Sequence, residues 1–428
     1  MSTPSLTAVP GDADLAAVQR RTLSVIVAGQ VLGGVGLAAG VAVGALLARD
    51  LLDDALLSGL PGALATAGGA AAAIGLSRLM ARSGRRPGLV LGYVMGAVGS
   101  AVVIGAAQAG DFVLLCAGMA LFGAGNVASL QARYAGADLA RPEHRARSLS
   151  IVLFATTFGA VAGPNLLGPT QRLAEELGLP SLAGPFVVAA AAYLAAAVLL
   201  AALLRPDPLL LARSHAAETA TEPVVAQRVP GSWAVLAHGR AAIGVAAMVT
   251  AQFVMVMMMT MTPVHMADHG QGLVVVGFVI SAHIAGMYLP SPLSGILADR
   301  AGRIPTVLLG AGVLAVSGVT AMVADPDGRV GLTVALFLLG LGWSLCLVAG
   351  SALLTDAVPL SVRPQAQGNA DLLAGLSAAA GSAGSGVVLD LAGWAAIAII
   401  TVTAALAVTT FTLARSARAP TDPIGVTG

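Results

Sequence analysis

Charged side chains are scarce in this sequence, and lysine is absent altogether. Only 10% of the 428 residues are charged, all 22 cationic side chains are arginine, and the formal net charge is +1. A water-soluble domain carries about 25% charged residues, so these few charges cannot cover a soluble surface of this size. A near-neutral chain also offers no basic surface for nucleic acid. We therefore expect neither a soluble protein nor a nucleic-acid partner.

Residues that could carry catalysis are also few. The two cysteines, Cys116 and Cys346, lie in apolar runs and have neither a CxxC motif nor the spacing of metal ligands. The six histidines are scattered, and no serine has a partner that would make it a nucleophile. The sequence therefore predicts that the protein is not an enzyme and holds no permanently bound cofactor.

Long apolar runs dominate the sequence instead. Hydrophobic residues make up 57% of the chain, and the mean hydropathy is +0.88. A helix needs roughly 20 apolar residues to cross a bilayer, and strand-like alternation is absent, so helices rather than a barrel satisfy the backbone in lipid. We predict an all-α membrane protein with twelve transmembrane helices. The predicted spans are residues 22–48, 56–80, 87–108, 112–135, 148–170, 184–204, 239–266, 273–298, 304–324, 330–355, 364–390 and 393–415.

A polar, proline-containing stretch divides these spans into six and six. Its composition is typical of a flexible linker. The predicted organisation is a cytoplasmic tail (1–21), a six-helix bundle (22–204), a cytoplasmic linker (205–238), a second six-helix bundle (239–415) and a second cytoplasmic tail (416–428).

The arginines predict the orientation of the chain in the membrane. If both termini are cytoplasmic, 19 of the 22 arginines face the cytoplasm, and only Arg49, Arg172 and Arg329 face outward. This asymmetry follows the positive-inside rule. We therefore predict a multi-pass protein of the inner (cell) membrane with both termini in the cytoplasm.

The two halves repeat one another at an offset of 218 residues (300 − 82). Asp138 recurs as Asp356, and Arg145 recurs as Arg363. The loop after the second span of each half shares further positions: Arg82, Gly84, Arg85 and Pro87 recur as Arg300, Gly302, Arg303 and Pro305. Two similar six-helix halves around a cavity at the bilayer midplane are a known plan for transporters.

The second-half loop, Gly295-Ile-Leu-Ala-Asp299-Arg300-Ala-Gly302-Arg303, resembles the signature loop of the major facilitator superfamily, and the similarity extends over nearly the whole chain. The resemblance implies two pseudo-symmetric six-helix bundles, the major facilitator fold, that work by alternating access. It also implies that the acid and the arginines of this loop pair with a neighbouring helix end as a latch.

We predict gating residues in both loops: Asp299, Arg300, Arg303, Arg82 and Arg85. The first half departs from the pattern because Ala81 stands where the acid is expected, so its latch must be weaker or use another acid. The alternative interpretation is that the arginines only anchor the cytoplasmic side.

Six of the thirteen methionines fall between residues 255 and 266. At about 100° per residue, Met255 and Met259 share one helix face. In the next predicted span, His283 and Met287 form an i, i+4 pair, which also shares a face. At about 1.5 Å per residue, Met255 and His283 both lie roughly 15 Å from the outer surface, near the midplane. Two adjacent helices would thus present thioethers and an imidazole, which suit Cu(I), at one depth.

This MxxxM and HxxxM arrangement resembles the CcoA-like copper importers of the superfamily, in which the two pairs are taken to bind copper in transit. The resemblance implies a substrate site, with copper as the transported ion: Met255, Met259, His283 and Met287. Three residues at the outer mouth would collect the ion: His265, Met266 and His269. Two alternatives stay open, because methionine is also an adaptable core filler and relatives of this branch include riboflavin transporters.

Asp371 is an acid inside a predicted span, eight residues beyond Arg363 and therefore about 12 Å along the helix. An ionised acid is costly in a membrane, which makes such a residue a functional candidate. Protonation would neutralise Asp371 and permit the halves to rock, so the sequence predicts proton coupling. The alternative is a structural hydrogen bond with Asn369 or with a serine such as Ser377.

Other residues favour a proton-coupled transporter or efflux pump for a small organic solute, drug-like or riboflavin-like. The pair Gly163-Pro164 in the fifth span resembles, one residue out of register, the motif of drug/proton antiporters, although a kinked, tightly packed helix explains it equally well. Polar residues of the first half are predicted to line the cavity: Gln30, Asn126, Thr156, Thr157 and Asn165. The expected partners are the lipid bilayer and a small solute or metal ion, and we expect a monomer.

Overall fold

The computed structural model describes residues 12–52, 60–219, 231–325 and 328–418, and these residues are almost entirely helical. The first half and its linker contain α1 (Asp12–Leu52), α2 (Leu60–Ser83), α3 (Arg85–Ala109), α4 (Phe112–Ala135), α5 (Arg145–Glu176), α6 (Gly184–Leu203), α7 (Pro208–Thr219) and α8 (Ser232–Leu236). The second half contains α9 (Gly239–Asp268), α10 (Leu273–Tyr288), α11 (Ser291–Arg300), α12 (Arg303–Val323), α13 (Arg329–Ala357) and α14 (Arg363–Arg418).

The helices fit the predicted number of membrane crossings. Within the described ranges, nine helical stretches are long and apolar enough to cross a membrane. One of them joins α10 to α11 through Pro290. Another spans 55 residues of α14, enough for two crossings, and it breaks at Gly393, where φ is 73°. With α1 and α5, of 41 and 32 residues, the set reaches twelve. The predicted all-α fold of two six-helix bundles is confirmed.

Each half has its own hydrophobic core. The first core is built from α1 to α6 and contains the aromatic contacts of Phe122 with Phe186 and Tyr193. The second core is built mainly from α9 to α14 and includes Trp343 and most of the methionines of α9. Most apolar side chains of each bundle are therefore buried within that bundle, which is the arrangement expected of halves that move as bodies.

The segment between the halves differs from the prediction of a flexible linker. Residues 208–219 form α7, residues 232–236 form α8, and residues 220–230 lie outside the described ranges. Asp207 begins α7 as its cap, because its Oδ1 accepts the backbone N–H groups of Leu209 and Leu210 at 3.0 and 3.2 Å. Proline at the first helical position supports the same start.

The halves meet at the end that carries most arginines, which we call the arginine-rich end and which the sequence predicts to be cytoplasmic. There α2 packs against α14, and α5 packs against α11. Glycines permit the close approach: a Cβ on Gly368 would lie 2.9 Å from the carbonyl oxygen of Ala73, and one on Gly295 would lie 2.8 Å from that of Ala146. The structure is therefore closed at the arginine-rich end.

Candidate functional site

A buried ion pair joins the two halves. Arg133 of α4 donates from Nη2 to Oδ1 of Asp371 in α14 at 2.6 Å, and the two side chains are 1% and 7% exposed. A charge stays inside a protein at acceptable cost only when it is paired. Separating α4 from α14 therefore requires this pair to break or to lose its charge.

The two partners of this ion pair differ in how many further hydrogen bonds they make. The Arg133 guanidinium also donates to the Tyr134 hydroxyl at 2.8 Å, to Ser351 Oγ at 3.3 Å and to the Leu130 carbonyl. In contrast, Oδ2 of Asp371 is buried and has no hydrogen-bond partner in the part of the chain that the structure describes. Arg133 is thus held in place, while one carboxylate oxygen remains available to a proton.

The alternative partners predicted for Asp371 make other bonds. Asn369 donates to Ser232 Oγ at 3.0 Å, and Ser377 donates to the Val249 carbonyl at 3.1 Å. The interpretation of Asp371 as a structural hydrogen-bond partner of these two side chains is therefore wrong. Sequence analysis also missed Arg133, which supplies the countercharge.

The loop predicted as a latch in the second half contacts the first half. The Asp299 carboxylate accepts the backbone N–H groups of Ala146 and Arg147, at 3.1 and 2.8 Å, where α5 begins. A carboxylate is stabilising at a helix N-terminus, where N–H groups lack intrahelical acceptors. Asp299 therefore makes the cross-half contact that a latch requires.

Arginines extend the same contact. Arg303 pairs with Asp299 at 3.2 Å and with Asp356 at 3.0 Å, and it donates to the Pro142 carbonyl of the first half. Arg145, from the first half, pairs with Asp356 from the other side. The loops of both halves are therefore linked by one chain of ion pairs at the arginine-rich end.

The first-half loop makes a different set of contacts. Arg85 donates to both oxygens of Asp138, at 2.7 and 3.1 Å, and reaches across the interface to Gln367 Oε1 at 2.6 Å. Arg82 and Arg300, which were predicted as gating residues, are exposed and have no ion pair within the described residues. Asp299, Arg303 and Arg85 therefore form polar contacts with the opposite half, whereas Arg82 and Arg300 form none among the described residues.

Polar side chains of the first half lie at mid-depth. Gln30 donates to Thr156 Oγ1 at 2.9 Å, joining α1 to α5. Within the described ranges, Gln30 Oε1 and Thr157 Oγ1 are buried and have no hydrogen-bond partner. Asn126 is half-buried, and the Asn165 side chain lies outside the described residues. Since buried polar atoms are usually satisfied, the unpaired oxygens are candidates for ligand contacts.

The second half places a polar and aromatic group at similar depth. Trp343 of α13 donates from Nε1 to Gln252 Oε1 of α9 at 2.8 Å, and its ring meets that of Tyr288 edge-on at 5.9 Å. Counting about 1.5 Å per residue from the arginine-rich end of each membrane-spanning stretch, which for Tyr288 is Arg300, these residues and Thr156 all lie about 17–21 Å deep. Sequence analysis did not single out this group.

The His283 side chain points toward α13. Its Nδ1 shares a 2.8 Å hydrogen bond with the Leu336 carbonyl, and its Nε2 is buried with no partner among the described residues. Close packing explains the direction, because a Cβ on Gly340 of α13 would lie 2.7 Å from the backbone nitrogen of Met287. His283 and Met287 are therefore both buried on the α13 side of α10.

The two methionines of α9 that were predicted to bind copper do not simply face His283 and Met287. Met255 is buried and Met259 half-buried, and α9 packs along α13 and α14, whereas it approaches α10 over only a few residues. The prediction that these two helices are adjacent needs correction, because α13 packs against both. Within the described residues no group of three or more His, Cys, Asp or Glu side chains could hold a metal ion.

Of the three residues predicted at the outer mouth, the two histidines lie together and the methionine belongs to the core. The His265 ring stacks on Trp394 with centroids 4.4 Å apart, and the His269 ring lies 4.5 Å from His265. Met266 is fully buried in the second core. Stacking and burial account for His265 and Met266, and the predicted role in collecting an ion stays a prediction.

Similar proteins share this architecture. Residues 24–346 and 266–427 match the family model of the Major Facilitator Superfamily. The chain is 44% identical over 388 residues to the uncharacterized MFS-type transporter YdeG of Bacillus subtilis (strain 168), covering 89% of this chain and 88% of that protein. It is 28% identical over 388 residues to the riboflavin transporter RfnT of Brucella anthropi, covering 89% of this chain and 92% of that protein.

A solved structure has the same fold. The proton:xylose symporter XylE superposes with a TM-score of 0.72, covering 93% of this chain and 96% of that chain, at 17% identity. At this identity the likeness concerns the fold and not the substrate.

Proposed function

Because the chain belongs to the Major Facilitator Superfamily, whose members are membrane transporters rather than enzymes, we propose that it is a proton-coupled secondary transporter of a small organic solute. The ion pair between Arg133 and Asp371 carries this proposal, since it is buried and joins the two halves. Alternating access requires the arginine-rich end to open and close in turn.

Proton coupling follows from the free energy needed to separate Arg133 from Asp371 when the arginine-rich end opens. Removing the charge of one partner from a buried ion pair destabilises the structure by about 3–5 kcal/mol, because the other charge is left uncompensated. Protonation of Asp371 therefore destabilises the closed state, in which Arg133 is buried against it, and favours the open state, in which water can reach Arg133. The unpaired Oδ2 of Asp371 is the atom that would accept the proton. Proton uptake and opening of this end are therefore linked, and each favours the other.

The class of solute follows from the side chains at mid-depth. Gln30 and Thr157 offer unpaired oxygens that accept hydrogen bonds, and Trp343 and Tyr288 offer aromatic surface at a similar level. Such a site suits a flat heteroaromatic solute with several N–H or O–H groups. The relative named as a riboflavin transporter supports this class, because riboflavin combines a flat ring system with hydroxyl groups.

We expect a thermal-shift screen of the purified protein to find stabilisation by such a solute, because a ligand stabilises the state that it binds. The screen contains riboflavin, a panel of drug-like heteroaromatics and Cu(I). Gln30→Ala is expected to weaken binding of the solute found by about tenfold, since one buried hydrogen bond is lost. Gln365→Ala, at the arginine-rich end of α14, is the matched control. Equal affinity in the parent and in Gln30→Ala contradicts the proposed site.

Copper import is the second candidate function, and His283 favours it. Its Nδ1 faces a backbone carbonyl, so Nδ1 carries the proton and Nε2 is left with a lone pair. A metal-binding histidine typically donates its other N–H in this way. Met287, one turn further along α10, is also buried and could add a thioether.

The copper hypothesis predicts that replacing Met255 and His283 together abolishes copper accumulation. Met255→Leu keeps nearly the volume of the thioether, and His283→Asn keeps an N–H donor for the Leu336 carbonyl, while both metal ligands are removed. Accumulation is expected to fall by at least about tenfold. The measurement is cellular copper content, normalised to transporter in the membrane fraction. Unchanged accumulation in the double variant removes this candidate.

A further inference from the structure

The latch of the first-half loop lacks both of its parts: the acid of the loop and one N–H group of the helix end that would receive it. At the offset of 218 residues, Ala81 takes the place of Asp299, so the carboxylate is missing. At the same offset, Pro364 takes the place of Ala146, whose N–H group Asp299 accepts. Proline has no N–H group, so the receiving helix end has lost a donor where the loop has lost its acceptor.

Arg213 of α7 fills the same position from outside the repeat. It donates from Nη1 to the Ala81 carbonyl at 2.8 Å. It also donates to the second half, to the Leu360 carbonyl at 3.0 and 3.3 Å and to the Ser361 carbonyl at 3.1 Å. One guanidinium therefore joins the first-half loop to the loop before the second half of α14.

The repeat identifies what this arginine replaces. In the intact latch, Arg303 donates across the interface to the Pro142 carbonyl. The counterpart of Pro142 at the offset is Leu360, and the counterpart of Arg303 is Arg85. Arg85 keeps the counterpart of the Arg303–Asp356 pair in its pair with Asp138, but across the interface it donates to Gln367. The bond to the Leu360 carbonyl is thus made by Arg213.

The start of α7 is fixed to the first half. Oδ2 of Asp207 accepts the backbone N–H of Arg86 at 2.8 Å, while its Oδ1 caps α7. Gly84 makes room for the carboxylate, since a Cβ there would lie 2.5 Å from Asp207 Cγ. Arg213 therefore projects from a helix attached to one half and bonds the loop of the other.

We propose that Arg213 is a positioning residue of the gate, which replaces the missing first-half latch and holds the arginine-rich end closed. Its planar fork spreads donors over three nitrogens and so reaches three separate carbonyl groups, whereas an ammonium presents all its donors from one atom. When the halves part at this end, the bonds to Leu360 and Ser361 must break while the bond to Ala81 can remain. The linker helix thereby sets the balance between the closed and the open state. This inference rests on the alternating access of the proposed function but not on any particular solute.

The test measures how often the arginine-rich end opens. Ser77 is buried where α2 meets Gly368 of α14, so a cysteine there reacts with a maleimide only when the halves separate. The reporter is Ser77→Cys in a full-length chain whose two native cysteines are replaced by alanine, in membrane vesicles that expose this end. Arg213→Ala is expected to raise the labelling rate about tenfold, because hydrogen bonds from a charged donor are lost. An unchanged rate overturns the proposal.

A rescue separates a replacement latch from a general loss of structure. Ala81→Asp with Pro364→Ala restores the acid and the N–H group, and in the Arg213→Ala chain it is expected to return labelling to within about twofold of the parent. Failure of this rescue, in a protein that still elutes as a single species, overturns the assignment. Arg213→Lys keeps the charge but not the fork and is expected to label nearly as fast as Arg213→Ala, so parent-like labelling contradicts the geometry.

Arg205→Ala is the matched control, since Arg205 is an exposed arginine of the same linker. It is expected to label at the parent rate, and a rate that equals that of Arg213→Ala overturns the proposal. No solute is added in any arm. A failure here therefore differs from a failure of the proposed function, which the binding screen measures separately.

Discussion

Replacing Asp371 by asparagine is expected to abolish proton-driven accumulation of the solute while leaving exchange of the solute across the membrane intact. Asparagine has nearly the shape of a protonated aspartate and carries no charge, so the pair with Arg133 at 2.6 Å no longer opposes opening. The halves can then rock without a proton. A transporter that no longer exchanges protons cannot use the proton gradient, although it can still bind and release solute on both sides.

The measurement compares two assays in proteoliposomes that contain the solute found in the binding screen. Accumulation under an imposed proton gradient is expected to fall by more than about tenfold in Asp371→Asn. In the parent, protonation removes one charge of the buried pair, which is worth about 3–5 kcal/mol and drives the movement, and asparagine cannot undergo this change. Counterflow of labelled solute without a gradient is expected to stay within about threefold of the parent. Asp390→Asn, an exposed acid of the same helix, is the control and should change neither rate.

The two assays separate coupling from structure. If Asp371 only holds the halves together, both rates fall by the same factor in Asp371→Asn. Normal accumulation that still collapses with the gradient would show that another group carries the proton. Only a loss confined to the gradient-driven assay supports the proposed role.

The helical frame of the protein can be predicted from its sequence because the bilayer imposes it. Each crossing needs a long apolar run, and the arginines give a prediction of which end is cytoplasmic. The start of α7 was also readable, since Asp207 followed by Pro208 is typical of a helix N-terminus. The prediction of a flexible linker gave more weight to the polar and proline-rich composition of residues 205–238 than to this local signal.

The contacts of the site were harder to predict, because their partners come from distant parts of the chain. Asp371 is recognisable as an acid in an apolar run, but its partner Arg133 lies 238 residues away in the other half. By sequence Arg133 is one of 19 arginines assigned to the cytoplasmic side, and it lies near the end of α4. Its signal was its position inside the predicted span 112–135, where a cation requires a countercharge.

The contacts of His283 and Met287 were hard to predict for the same reason. Helical periodicity places His283 and Met287 on one face, and the structure buries both on one side of α10. Periodicity does not indicate which helix that face meets. Which helix this face meets is decided by glycine, because Gly340 lets α13 approach α10 closely enough for His283 to reach the Leu336 carbonyl. Small residues decide helix contacts in membranes, and many pairings of glycine-rich helices are compatible with one sequence.

The close approach at Gly368 leads to the second large expected effect. Replacing Gly368 by valine should stop the transport cycle with the arginine-rich end open. In the closed state a Cβ at this position would overlap the Ser77 side chain and lie 2.9 Å from the Ala73 carbonyl oxygen. Both belong to the opposite half, so the overlap exists only when α2 and α14 are in contact. Overpacking costs about 1–3 kcal/mol or more, and here the cost falls on one state of the cycle rather than on folding.

Gly368→Val is therefore expected to reduce solute transport by more than about tenfold and to raise the labelling of a buried reporter at this end by a similar factor. Ser150→Cys is the appropriate reporter, since Ser150 is buried against Gly295 at the other contact between the halves. Gly384→Val is the control in the same helix, because a Cβ there meets nothing within 4 Å, so it carries the helix-propensity cost without the overlap. Transport at the parent rate in Gly368→Val would mean that the two halves do not need this contact to complete the cycle. Slow labelling combined with lost transport would mean that the valine acts on the site and not on the gate.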